Sequence, residues 1–410
     1  MPVRHSFDGY YVVRGDKTHN WLRVIRRVVG GAKRLWLSFG LALILLFAVE
    51  VCSAIALSII DGSSPADPRQ AAEAFRDASW ATEYFRELRA ADQVTWQSYV
   101  YWRRRPFAGQ FINIDANGRR QTYRPAGVAG GKPLKVFVFG GSTVWGTGAR
   151  DDFTIPSALA RHLAAGMSVE VDVTNFGESG YVSTQEVFAL ERELQRGARP
   201  DVVVFYDGVN DTFSALQARV AGLPENETNR IAEFNLLQTS RRGELIAEWL
   251  ARTVRESATV RLTSRVIRKL TAAASVSPTA VPIDERLADD VVSVYATNVA
   301  IVEGLGERYG FAPLFYWQPV VFSKDRLTPY ERGQADALSY AASSYNAVYA
   351  RMGTHASLAN FTRFHDLSTI FRGDERPMFI DFAHLSEVGN DIIAARVAAD
   401  IRAISSDQIR

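Results

Sequence analysis

Apolar residues follow three patterns along this chain. The first is one long run, Leu35 to Ile60, 26 residues with a single charge at Glu50. It exceeds the ~20 residues needed to cross a bilayer and predicts a transmembrane helix. The second is a set of short apolar runs bounded by turn residues, Lys135–Phe139, Asp201–Tyr206 and Pro313–Trp317, together with the alternating segment Val169–Thr174. These predict buried strands. The third is helical. Residues 156–165 form one such segment. A second runs from Ser183, at capping-box spacing from Glu186, to about Gln195, with Gly197 as its stop. Ile393, Val397, Ile401 and Ile404 stripe a C-terminal one. Strands alternating with helices argue for a mostly parallel sheet covered on both faces.

The remaining stretches interrupt that alternation. After a breaker at 63–68, residues 70–91 read as a stalk or docking helix. Trp96, Tyr99, Tyr101 and Trp102 read as a packing seam. Residues 111–115 and 121–123, around Asn117-Gly118, read as a β-hairpin. Residues 212–290 hold helical stretches at 243–253 and 262–272 and a small-residue and proline linker at 273–282. They read as an inserted cap over the sheet's C-terminal edge. The predicted organisation is a basic tail (1–34), a membrane helix (35–60), a stalk helix with a hairpin (61–130), and a catalytic domain (131–410) with the insertion at about 212–290.

Charge changes the picture at one end only. The net charge is +2. Residues 1–34 carry eight Lys/Arg against Asp8 and Asp16, so the head is +6 and the rest −4. A basic head before a long apolar run predicts a cytoplasmic N-terminus and an uncleaved single-pass anchor in the cytoplasmic membrane. Everything after Ile60 is then periplasmic or extracellular. Nothing in the distribution suggests a nucleic-acid footprint. Cys52 is the only cysteine, which excludes an internal disulfide. Glu50 is costly in mid-membrane and predicts a helix partner or a place near the outer interface. Histidine and cysteine do not cluster at ligand spacing, so neither metal nor cofactor is implied.

Chemistry concentrates at the ends of the predicted strands. Ser142 lies in Gly140-Gly141-Ser142-Thr143, directly after Val136–Phe139. Asp381 precedes His384 by three residues in Asp-Phe-Ala-His. At that spacing in a loop, the carboxylate can accept from one ring nitrogen and leave the other to take a serine proton. His365-Asp366 are adjacent, a poorer geometry for one to orient the other. Asn210, in Gly208-Val209-Asn210-Asp211, can donate to an oxyanion. Asn175 to Tyr181 can bring a glycine N–H, from Gly177 or Gly180, to the same place.

In combination these blocks resemble the SGNH (GDSL-type) hydrolase family over about residues 130–210 and 310–404. The resemblance implies a flavodoxin-like three-layer α/β/α sandwich. It implies Ser142 as nucleophile, His384 as base and Asp381 as its orienting acid. The oxyanion hole would come from Ser142 N–H, Asn210 and Gly180, with Gly177 as the alternative glycine. Gly141 departs from the pattern, standing where the family's name implies Asp. The expected activity is ester hydrolysis outside the membrane on an ester substrate, with O-acetyl groups of envelope or exported polysaccharide as one candidate. An O-acyltransferase using the same site and a catalytically silent binding module are the alternatives.

Overall fold

The structure, a computed structural model, describes residues 17–62, 66–125, 132–239, 251–271 and 281–408. The start of the basic head (1–16), residues 63–65 of the breaker, most of the stretch 243–253 and residues 272–280 of the linker lie outside the described residues. The chain forms two compact units. One comprises residues 1–64 and 240–275, the other residues 65–239 and 276–410.

The first unit is built on α1 (Lys17–Gly62). Its stretch Val24–Ile60 is long and apolar enough to cross a membrane, as a signal sequence or an anchor would be. Helix Ala258–Thr271 packs along it. The first N–H groups of a helix have no partner within it, and a carboxylate there satisfies them and complements the helix dipole. Glu50 does this. It accepts from Ala258 N–H, from Thr259 N–H at 3.1 Å and from the Thr259 hydroxyl at 2.8 Å. The one charge in the apolar run therefore has a helix partner. Residues read together as one insertion are divided: 240–275 group with α1, while 212–239 and 276–290 belong to the second unit.

The second unit begins with two 3₁₀ turns, Pro68–Ala71 and Glu73–Phe75, and α2 (Ala81–Ala91). Two antiparallel pairs follow: β1 (Val94–Gln97) with β2 (Tyr101–Arg104), and β3 (Phe107–Ala108) with β4 (Asn113–Ile114). The chain then runs through β5 (Leu134–Gly140), α3 (Ser142–Trp145), α4 (Ile155–Gly166), β6 (Val171–Asn175), α5 (Ser183–Gln195), β7 (Val202–Asp207) and α6 (Val209–Ala218). It finishes with α7 (Glu285–Tyr309), β8 (Ala312–Trp317), α8 (Ser339–Met352), β9 (Phe364–Asp366) and α9 (Glu387–Gln408).

Five strands form one parallel sheet in the order β6-β5-β7-β8-β9. Strand residues alternate between two apolar layers. Phe137, Phe139, Phe205 and Phe315 pack against Leu190 of α5, Val292 of α7 and Tyr345 of α8. Val136, Val138, Val204 and Tyr316 pack against Leu159 of α4 and Val397 of α9. Burial on both faces explains why these strands read as continuous apolar runs. The result is a flavodoxin-like α/β/α sandwich. Its order reverses at β5, so the carboxyl ends of β5 and β7 flank the crevice where such sheets bind ligands.

Residues 66–125 pack within the second unit. Tyr84, Phe85 and Leu88 of α2 form a core with Ile112, Ile114, Trp145 of α3 and Ile380. Arg120 is fully buried, lies over the Trp145 ring and donates to Gly146 O and Ala149 O, both at 2.6 Å. The segment thus braces the turn after β5. The Asn117-Gly118 turn is present, held by Asp115 Oδ1, which accepts from Asn117 N–H and Arg119 N–H at 2.8 Å. The strand pairing differs: β4 pairs with β3, and only a single bridge, Ile114 to Arg120, crosses the turn. The aromatic seam is a hairpin, β1–β2, which leaves Trp96 and Tyr99 exposed to solvent.

Candidate active site

Ser142 is the first residue of α3, so its N–H is one of the donors a helix start leaves free. Its hydroxyl lies 2.7 Å from His384 Nε2. His384 Nδ1 lies 2.6 Å from Asp381 Oδ2. The other carboxylate oxygen, Oδ1, accepts from Ala383 N–H at 3.0 Å and His384 N–H at 2.8 Å. The three-residue spacing works because the chain folds back on itself here. Phe379 bridges Leu385, and Ile380 N–H donates to His384 O at 2.9 Å. The serine and the acid–histidine pair, more than 230 residues apart in sequence, thus form one hydrogen-bonded line.

Asp381 is mostly shielded from solvent. Burial alone would raise its pKa, but the adjacent His384 and the hydrogen bonds it receives overcome that and hold it at about 2. The folded-state value lies below the ordinary 3.8, so the associated stability is present above that pH and is lost as pH falls through about 2. Asp381→Asn should remove an acid-side loss of roughly 2 kcal/mol. Urea midpoints measured between pH 5 and pH 2 check this. An unchanged slope in the variant would contradict it.

Asn210 is the second residue of α6, directly after β7. Its amide Nδ2 donates to Tyr181 O at 2.7 Å, which leaves one N–H of the amide for a second acceptor. The amide also lies against the backbone beside Ser142: a Cβ at Gly141 would stand 2.2 Å from Nδ2. The bare Gly141 backbone thus lets the Asn210 amide lie beside Ser142. Gly141→Ala should leave the fold intact, because the obstructing atom ends a side chain. It should lower turnover by about 10–10²-fold by displacing the amide. Wild-type turnover in a folded Gly141→Ala protein would contradict that role.

The two glycines differ in their commitments. Gly177 N–H donates to Asn175 Oδ1 at 2.9 Å, and a Cβ there would meet Trp145 N at 2.3 Å, so it is a packing glycine under α3. Gly180 has φ +78°, in the left-handed region that favours glycine. Among the described residues its N–H makes no comparable bond.

Several supporting residues carry no local sequence signal. Asp211 accepts from Ser183 N–H at 3.1 Å and Ser183 Oγ at 2.6 Å, tying the loop of Gly180 to that of Asn210. Ser183 is therefore not the N-cap expected: Val182 occupies that place, and Gln185 accepts from its N–H at 3.3 Å. Glu331 is fully buried. One of its oxygens accepts from Met378 and Phe379 N–H at 2.9 and 3.0 Å; the other takes Lys324 Nζ at 2.5 Å. That anchors the loop ahead of Asp381. Arg69, paired to Asp67 at 2.8 Å, places Nη1 3.9 Å from Asp381 Oδ2. His365 takes another role, stacked on Tyr316 and 3.7 Å from Asp400.

Hydroxyl, imidazole and carboxylate in a line, with the Ser142 N–H and the Asn210 amide close by, can carry out acyl transfer through a serine ester. Comparison with known proteins agrees on the class. Residues 136–260 match the family model described as GDSL-like Lipase/Acylhydrolase. No curated protein matches the chain. Similar solved structures include the acetyl xylan esterase AlAXEase, 16% identical, covering 65% of this chain and 100% of that one, TM-score 0.36. Another is the lipase Lip_vut3 from a goat rumen metagenome, 14% identical, 65% and 96% covered, TM-score 0.38. A third is a two-domain esterase active on acetylated mannans, 14% identical, 67% and 50% covered, TM-score 0.31.

Proposed function

We propose, from the match of residues 136–260 to the GDSL-like lipase/acylhydrolase model, a membrane-anchored serine esterase with Ser142, His384 and Asp381 as its triad. The observation that carries the assignment is the 2.7 Å approach of Ser142 Oγ to His384 Nε2. In this reading His384 takes the hydroxyl proton as Ser142 Oγ forms a bond to the ester carbonyl carbon. The carbonyl oxygen gains the negative charge and is held by the N–H groups of Ser142 and Gly180 and the Asn210 amide. His384 then returns its proton to the departing alkoxide. Water, deprotonated in turn by His384, cleaves the acyl-serine and regenerates the hydroxyl.

The proposed substrate is an acyl ester on envelope or exported polysaccharide. Support comes from the +6 charge of residues 1–34 ahead of the apolar run, which by the positive-inside rule favours a catalytic unit outside the cytoplasmic membrane. Two experiments test the function. Labelling with an active-site-directed fluorophosphonate should modify Ser142 and no other serine; absence of labelling in folded protein would favour a silent binding module. Acetate release from an O-acetylated glycan should proceed without an acceptor; acetyl transfer to an added sugar in place of release would make the enzyme an acyltransferase. Asn210→Ala should lower turnover by about 10²–10³-fold, the loss typical of one oxyanion donor. Unchanged turnover would remove Asn210 from the hole.

A further inference from the structure

Between the β1–β2 hairpin, the Asn117-Gly118 turn and α5 lies a cavity of about 330 Å³ whose walls include none of the triad residues. Five arginines line it: Arg103, Arg104, Arg119, Arg192 and Arg196. Their ion-pair partners are fewer. Arg103 and Arg104 share the buried Glu178, with Asp92 also on Arg104. Arg119 and Arg196 share Glu193 at 2.7 and 2.6 Å. Arg192 has no carboxylate in ion-pair range among the described residues; its guanidinium lies over the Tyr99 ring, 5.1 Å from the centroid. Five guanidiniums facing three carboxylates leave the cavity with a positive surplus at Arg192.

Beside the cavity, the Tyr99 ring under Arg192 is 72% exposed. Tyr99 and Tyr101 both have φ +73°, a conformation bulky residues rarely adopt. The turn holds an aromatic face in water beside a cation. The same hairpin reaches the catalytic loop: Trp102 Nε1 donates to Ser179 O at 2.9 Å. Tyr181, which lines the cavity, offers its carbonyl to Asn210.

We infer that this cavity is a subsite for an acidic glycan. A sugar carboxylate would pair with Arg192 and Arg196, and a ring face would stack on Tyr99, so the polymer is held by the hairpin that borders the Gly180 loop. An aromatic surface beside guanidiniums suits a sugar acid better than a bare inorganic anion, which would use the cations alone. This rests on the esterase reading above, whose substrate class it narrows to acidic polysaccharide.

The test uses the full chain in detergent, as the Ser142→Ala variant, with binding read by calorimetry. An oligogalacturonate should bind, with affinity falling as salt rises, and a neutral glucan oligomer of equal length should not. Arg192→Ala combined with Arg196→Ala should weaken oligogalacturonate binding by about tenfold. The same pair of substitutions in the Ser142 enzyme should leave short-chain ester turnover unchanged. Tyr99→Ala should weaken binding without altering its salt dependence. Equal binding of both oligomers, no binding of either, or wild-type affinity in the double arginine variant would overturn the subsite. Full displacement by millimolar inorganic phosphate would make it a simple anion site and overturn it too. Loss of ester cleavage with oligogalacturonate binding retained would instead count against the esterase reading.

Discussion

Replacing Ser142 by alanine is expected to lower cleavage of a short-chain ester by roughly 10⁶-fold, and replacing His384 by alanine should do nearly the same. The hydroxyl and the ring form one hydrogen-bonded unit at 2.7 Å, so removing either disables the same proton transfer. The double variant should be hardly slower than either single one, because groups that act as a unit are not additive. Asp381→Asn should be milder than either, since Ser142 and His384 keep their 2.7 Å contact. Release of 4-nitrophenol from its acetate is a sufficient measurement. If folded Ser142→Ala protein keeps its activity, the nucleophile lies elsewhere and the binding-module alternative gains.

The second large effect concerns stability. Glu331→Ala is expected to destabilise the protein by about 3–5 kcal/mol, the range for stripping one partner from a buried ion pair. Lys324 and Glu331 are both fully buried side chains, so neither can turn to water when the other is lost. The change also leaves the N–H groups of Met378 and Phe379 without their acceptor. The urea midpoint should fall while a Glu331→Gln, Lys324→Met double variant, which removes both charges together, recovers much of the loss. A Glu331→Ala midpoint equal to wild type would show that the interior relaxes around the vacancy.

The catalytic strands were legible because each is buried on both faces, which turns a strand into an unbroken apolar run such as Val136–Phe139. β9 was not legible. It is three residues long at the sheet edge, and His365 and Asp366 give it no apolar pattern. Candidate site residues could be read from short motifs because glycine, asparagine and the Asp–His spacing have local geometric meaning. The supports could not. Glu331 with Lys324, Arg120 with the Gly146 turn, and Glu50 with the Ala258 helix start are polar side chains whose partners lie elsewhere in the chain. Before folding each looks like an ordinary charge, and only burial gives it a role. Of the hairpin aromatics, Trp102 packs on Tyr181 as a seam would, while the ring of Tyr99, at a left-handed position, lies in water.

The residues immediately after α1 bear on how a soluble form can be made. Arg69 approaches Asp381, and the Glu73 carboxylate accepts from the Thr328 hydroxyl at 2.9 Å and from Tyr330 N–H at 3.1 Å. Tyr330 in turn donates to Ile380 O at 3.0 Å, next to the acid itself. Production of the second unit without the long apolar helix therefore has a narrow permissible start. A recombinant chain beginning near residue 66 keeps these contacts. One trimmed to the start of α2 discards a side wall of Asp381 along with the apolar helix.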